Sequence, residues 1–151
     1  AKRNEVQAVL AVGGGSVLDS AKVIAAGALY TGDVWDFCIG KAAPTAALRV
    51  FDIITLAATG SEMNPGAVIM HDETKQKFGF FSPFVYPTVS VISPELQSTV
   101  TRDYLVYSAA DIFAHSLDLY FTAPELPLFN AGHLENIMRT APVCRSCCPP
   151  G

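Results

Sequence analysis

The sequence predicts an α/β fold, a parallel sheet flanked by helices, followed by an all-helical part. Three observations carry this. Apolar runs at 6–12, 49–59 and 88–96 read as strands, and the first two lead into glycine-containing loops. An amphipathic run follows the first strand directly, as a helix returning over a parallel sheet would. From Asp103 onward the apolar residues recur at spacings of three and four, and no internal repeat breaks the order.

Each element has its own reason. Val6 to Val12 ("VQAVLAV") is a short apolar run, read as a buried strand. Ser16 stands where it can cap the next helix, with Asp19 in the first turn, where a carboxylate suits the helix dipole. Gly27 is the expected stop. Residues 30–48 are rich in turn formers and read as a long surface connection. The run 49–59 ("RVFDIITLAAT") is rich in β-branched residues and ends in "ATGSEMNPG". Residues 67–81 read as a hairpin about a polar turn at His71 to Lys75. "TVSVISPEL" is a further strand. "RDYLVYSAADIFAHSLDLYFT" is a helix that Pro124 and Pro127 would end. A weaker helix is expected from Leu128 to Thr140.

The composition excludes several classes. Of 151 residues, half are apolar and 16% are charged, which suits a buried core and not a disordered chain. A net charge of -4 offers no field for a nucleic-acid backbone. No apolar run reaches the ~20 residues that span a bilayer; the run from Val50 to Ala58 is interrupted by Asp52 and Thr55. Neither nucleic acid nor membrane is therefore an expected partner. Cys38 stands apart, while Cys144, Cys147 and Cys148 crowd at the end, so no disulfide framework spans the domain. With no initiator Met and no signal peptide, the chain reads as beginning inside a fold, in a reducing cytoplasm.

Four stretches could carry chemistry. Gly13-Gly14-Gly15-Ser16 joins a strand to a helix start, where backbone N–H groups and the helix dipole can hold an anion. Its spacing is neither the Rossmann fingerprint, whose third glycine would fall at Leu18, nor a Walker loop, since Lys22 lies too far along the helix. By spacing alone, a plain turn and a phosphate cradle both remain open. "TLAATGSEMN" offers the hydroxyls of Thr55, Thr59 and Ser61, and two such loops would face one crevice at the strand ends. It reads equally as a helix start capped by Thr59 or Ser61, with Glu62 in the first turn. Asp111 and His115 lie four apart on one helix face. They could be two ligands of a divalent metal or, as the plainer reading, a salt bridge or hydrogen-bonded pair. Cys144-x-x-Cys147-Cys148 resembles half a zinc knuckle or a redox pair, but no second pair completes it, and a disordered tail is preferred. His71 and His133 have no partner at ligand spacing.

The order of these motifs is more specific than any one of them. "AVGGGSVLDSAK", "TLAATGSEMN", "ETKQKFGFFSPFVYPTVSVISPEL" and "DIFAHSLDLYFT" together resemble the iron-containing, metal-dependent alcohol dehydrogenase family, over about residues 5 to 140. The nearest subgroup is the butanol dehydrogenases that use NADH or NADPH. The resemblance implies a Rossmann-like dinucleotide-binding domain over 1–101, lacking its N-terminal part. It also implies the first helices of an all-helical metal-binding domain over 102–140, and a tail over 141–151. By the same resemblance Gly14, Gly15 and Ser16 wrap the pyrophosphate of NAD or NADP, with Asp19 beside them. Thr55, Thr59 and Ser61 line the nicotinamide side, and Lys77 reaches the nicotinamide ribose. Asp111 and His115 match the first two ligands of one iron or zinc ion, whose other ligands are histidines far downstream in the family. No side chain beyond the metal stands out as a catalytic acid or base. The reaction implied is reversible hydride transfer between a primary alcohol and its aldehyde, in a homo-oligomer at full length. Family members are more than twice as long, so the chain resembles an internal fragment. The alternative is a catalytically inactive remnant that retains partial nucleotide binding.

Overall fold

The fold is described from a computed structural model over residues 1–122, the side chains of residues 119, 120 and 122 excepted. Strands β1 (Ala8–Gly13), β2 (Arg49–Ile54) and β5 (Val89–Ile92) form one parallel sheet in the order β1-β2-β5. Helix α1 (Gly15–Ala28) connects β1 toward β2 and lies against both. Between β2 and β5 the chain makes an antiparallel hairpin, β3 (Gly66–Met70) with β4 (Lys77–Phe81). The short helices α2 (Trp35–Cys38) and α3 (Pro94–Gln97) sit in the connections, and α4 (Arg102–Thr122) closes the described part.

Small residues let α1 sit close to its neighbours. Leu18, Ala21, Ala25 and Ala26 are all buried, and a side chain at Gly27 would collide with Val34. One apolar cluster joins Ala11 of β1 to Leu18 and Ala21. A second joins Val23 and Ala26 to Phe37, Ala67, Phe80 and Val85, so α1 is the shared wall between sheet and hairpin. Ring contacts Tyr30–Phe37 at 4.6 Å and Phe37–Phe80 at 5.4 Å extend this second cluster.

The parallel sheet is covered on one face only among the described residues. Register places Leu10 beside Phe51 and Val89, and Val12 beside Ile53 and Val91. These six apolar residues share the face opposite Ala11 and Asp52, because side chains alternate along a strand. Leu10 is 63% exposed and Val12 56%. The first strand is expected from its sequence to be buried; among the described residues only its α1 side is covered.

Three local expectations also shift. The first strand starts at Ala8, not Val6, and runs through Gly13. The N-cap of α1 is Gly14, in an extended conformation, with Gly15 already helical. Ser16 thus lies inside the first turn, where its carbonyl accepts a bond from the Ser20 hydroxyl at 2.8 Å, and Asp19 falls just beyond that turn. The connection at 30–48 contains one turn of helix, too short for a periodic signal. The expected helix from Leu128 to Thr140, the breaks at Pro124 and Pro127, His133, and the cysteines of the tail lie outside the described residues.

Candidate functional site

The two glycine-containing loops stand side by side at the carboxyl ends of β1 and β2. Parallel pairing runs to Gly13 opposite Ile54, and the Thr55 N–H donates to the Gly13 carbonyl at 3.0 Å. The chain then diverges into the turn on one side and the 55–64 loop on the other. A Cβ at Gly14 would lie 3.5 Å from Leu56 Cβ, and a Cβ at Gly15 would collide with the Thr59 side chain. Gly15 is therefore needed for the approach of the second loop. Both glycines remain partly accessible, and Ser16 and Thr59 are exposed.

The helix start has the character of an anion site. No side chain caps α1. The Gly14 carbonyl accepts from Val17 and Leu18, while the first-turn N–H groups of Gly15 and Ser16 have no partner within the helix. These donors, with the positive end of the α1 dipole, suit a phosphate approached through a turn that carries no Cβ at Gly14 and Gly15.

The second loop is held by polar ties to α1. Gly60 takes a left-handed conformation, φ 66°, which glycine adopts without strain, and starts a single 3-10 turn at Ser61–Met63. Ser61 is 2% exposed, and its hydroxyl donates to Asp19 Oδ1 at 2.6 Å. Asp19 Oδ2 accepts from the Val68 N–H at 3.1 Å. Asp19 thus joins α1 to the loop and to β3 at once. The structure brings Asp19 and Ser61 together beneath the loop, whereas Thr59 lies at its surface.

Sequence reasoning set Lys22 aside, and the structure makes it central to this region. Its side chain is fully buried, three residues beyond Asp19 on α1. The ammonium donates to the Asn64 carbonyl at 2.7 Å, to the Gly66 carbonyl at 2.8 Å and to Asn64 Oδ1 at 3.2 Å. Burial lowers its pKa from 10.5 to about 8, against the opposing pull of Asp19, Asp52 and Glu62. Burial raises the pKa of both Asp52 and Glu62. Asp52 Oδ2 accepts from Ser90, whose hydroxyl also reaches the Glu62 carbonyl, while the buried Oδ1 has no partner among the described residues. The signal for Lys22 was present: a lysine in line with Leu18, Ala21, Ala25 and Ala26 sits on the apolar face of its helix.

Two further expectations fall elsewhere. Lys77 opens β4 opposite Met70, exposed, at the end of the hairpin remote from Asn64. There Trp35 packs on His71 and Phe78, at 5.0 and 6.0 Å. On α4 the His115 Nε2 lies 3.6 Å from Asp111 Oδ1, with both side chains about half exposed. The contact is an ion pair between residues four apart when the imidazole is protonated, and it brings an oxygen and an imidazole nitrogen together on one helix face. Among the described residues no third histidine, cysteine or carboxylate joins them.

Comparison with known proteins agrees with this architecture. The model of the family "iron-containing alcohol dehydrogenase" matches residues 1–94. A probable NADH-dependent butanol dehydrogenase of Bacillus subtilis (strain 168) is 42% identical over 139 residues, covering 92% of this chain and 36% of the relative. The NADPH-dependent aldehyde reductase YqhD of Escherichia coli (strain K12) is 37% identical over 126 residues, covering 82% of this chain and 33% of its own. The crystal structure of NADH-dependent butanol dehydrogenase A from Thermotoga maritima matches with a TM-score of 0.81 and 47% identity, over 92% of this chain and 36% of that one. The chain thus spans about a third of the length of these relatives. Fold and sequence agree on one conclusion: this chain belongs to the iron-containing alcohol dehydrogenase family.

Proposed function

We propose that this chain carries the dinucleotide-binding part of an NAD(P)H-dependent alcohol dehydrogenase or aldehyde reductase, in a Rossmann-like domain over 1–101. On this reading the helical metal-binding domain begins at 102. The single observation that carries the proposal is the uncapped start of α1 against the 55–64 loop, with Gly15 too close to Thr59 for any side chain.

The residues divide the work. Gly14, Gly15 and Ser16 offer the helix-start amides to a pyrophosphate. Thr55 and Thr59, on the facing loop, hold hydroxyls for the nicotinamide half. Asp19 and Ser61 act from beneath, fixing that loop to α1 and β3. Lys77 stands on the hairpin as the cation for the nicotinamide ribose. Asp111 and His115 supply two donors to iron or zinc. When bound, the nicotinamide supplies or accepts a hydride and the metal is a Lewis acid at the oxygen of an alcohol or aldehyde. No described side chain is assigned as a proton donor.

Amide NMR of the isotopically labelled chain tests this reading. Adding NADH or NADPH is expected to shift the Gly14, Gly15 and Ser16 resonances first, and those of 55–61 with them. Shifts confined to other regions would refute it. Butanal with the same reduced cofactor separates two outcomes: turnover supports a complete reaction, and binding without turnover identifies a chain that only holds the dinucleotide.

A further inference from the structure

We propose that Lys22 is a positioning residue, a buried brace that sets the height of the 55–66 loop over the glycine turn and so fixes the nicotinamide side of the site. The proposal rests on the dinucleotide reading above. Its basis is geometric. The loop leaves β2 at Ile54 and enters β3 at Gly66, and it is tied to α1 at two points one helical turn apart. Asp19 takes Ser61 and Val68; Lys22 takes the carbonyls of Asn64 and Gly66 together with Asn64 Oδ1. An ammonium has three N–H donors, and three acceptors lie in reach, so its hydrogen-bonding capacity is filled by this one segment.

The second tie is also the end of a chain of contacts. Asn64 Oδ1 accepts from the Gly66 N–H at 2.9 Å, and the Asn64 amide reaches the Thr59 carbonyl at 3.5 Å. Lys22 therefore acts through Asn64 on Thr59, the residue whose side chain leaves no room for a Cβ at Gly15. The charge is also placed. Asp19 on α1, Asp52 on β2 and Glu62 in the loop all attract the ammonium, which keeps a lysine tolerable at a site with no solvent exposure.

The test uses Lys22→Met and, as a milder variant should that one fail to fold, Asn64→Ala. Amide hydrogen exchange and binding of NADH and ADP are measured on the 151-residue chain. Exchange at 59–68 is expected to rise about tenfold while the amides of 18–26 change little. NADH affinity is expected to fall about tenfold and ADP affinity much less, because ADP carries the pyrophosphate but not the nicotinamide half. Equal weakening of both ligands would make Lys22 a general stabiliser and overturn the proposal. So would unchanged exchange at 59–68 in the variants. Failure of the wild-type chain to bind NADH would instead overturn the dinucleotide reading, and the exchange result would still decide whether the brace exists.

Discussion

Gly15 and Thr59 leave each other no spare volume, and this is the sharpest constraint in the site. Gly15→Ala would drive a methyl into the Thr59 side chain, so the loop or the helix start must move. Overpacking of this kind costs about 1–3 kcal/mol. Urea unfolding should show that loss, and adding Thr59→Ala should recover a large part of it, since the two atoms nearest the added Cβ, Thr59 Oγ1 and Cγ2, would be gone. Lys22 makes a second expectation through pH. Its folded pKa is about 8 and its ordinary value 10.5. Between these the unfolded chain keeps the proton and the folded chain has released it, so this group raises stability as pH increases through that window. The unfolding free energy of the wild type minus that of Lys22→Met should therefore climb from about pH 8 to about pH 10. A flat difference would mean that the ammonium is not desolvated as described. The sequence showed that the turn needs small residues. It could not show that the reason at Gly15 is a threonine 44 positions later, because that contact exists only once two loops meet. Lys22 escaped for a related reason: a lysine is read as a solvated charge unless its helix face is weighed.

Beside their apolar contacts, α1, the 55–64 loop and β3 are tied by polar bonds that range from buried at Lys22–Gly66 to exposed at Asp19–Val68, and these set the order of failure. Ser61→Ala removes the 2.6 Å bond to Asp19 and leaves a carboxylate oxygen without its donor. A loss of roughly 1–3 kcal/mol is expected. The loop and β3 should loosen before the parallel sheet, which exchange at Val68, the other donor to Asp19, would report. The strands and the long helices were legible because apolar spacing is a property of each segment alone. The hairpin was legible because a polar turn divides two apolar runs; the His71 N–H and the Gln76 carbonyl close it at 2.8 Å. The start of α1 was less so. Ser16 has the better capping side chain, but an extended Gly14 begins the helix two residues earlier, where a backbone without a side chain can serve a ligand. For Asp111 and His115 the spacing did fix the geometry, since helical residues four apart must meet. What that pair binds was never a question that spacing could answer.

For the molecule as a whole, the main physical feature of the described residues is a sheet face left uncovered. Leu10, Val12, Val89 and Val91 are each more than two-fifths exposed, and β1 and β5 are edge strands among the described residues. Such a face invites self-association. Dynamic light scattering should show association that grows with concentration, and Val12→Lys with Val91→Lys should suppress it while leaving the unfolding midpoint little changed. On α4, Tyr104, Val106, Tyr107 and Phe113 are exposed as well. Both features accord with a chain that spans about a third of its relatives' length. The alternation of strands and helices revealed the sheet, but strand composition did not reveal that one face is uncovered among the described residues, since β-branched residues suit covered and uncovered faces alike. The proposed dinucleotide site between the glycine turn and the 55–64 loop is tested most directly by NADH titration followed by its fluorescence. Saturable one-to-one binding is expected for the wild-type chain, weakened about tenfold or more by Gly15→Ala in a protein whose circular dichroism is unchanged. Absence of binding, or equal affinity in the Gly15→Ala variant, would contradict it.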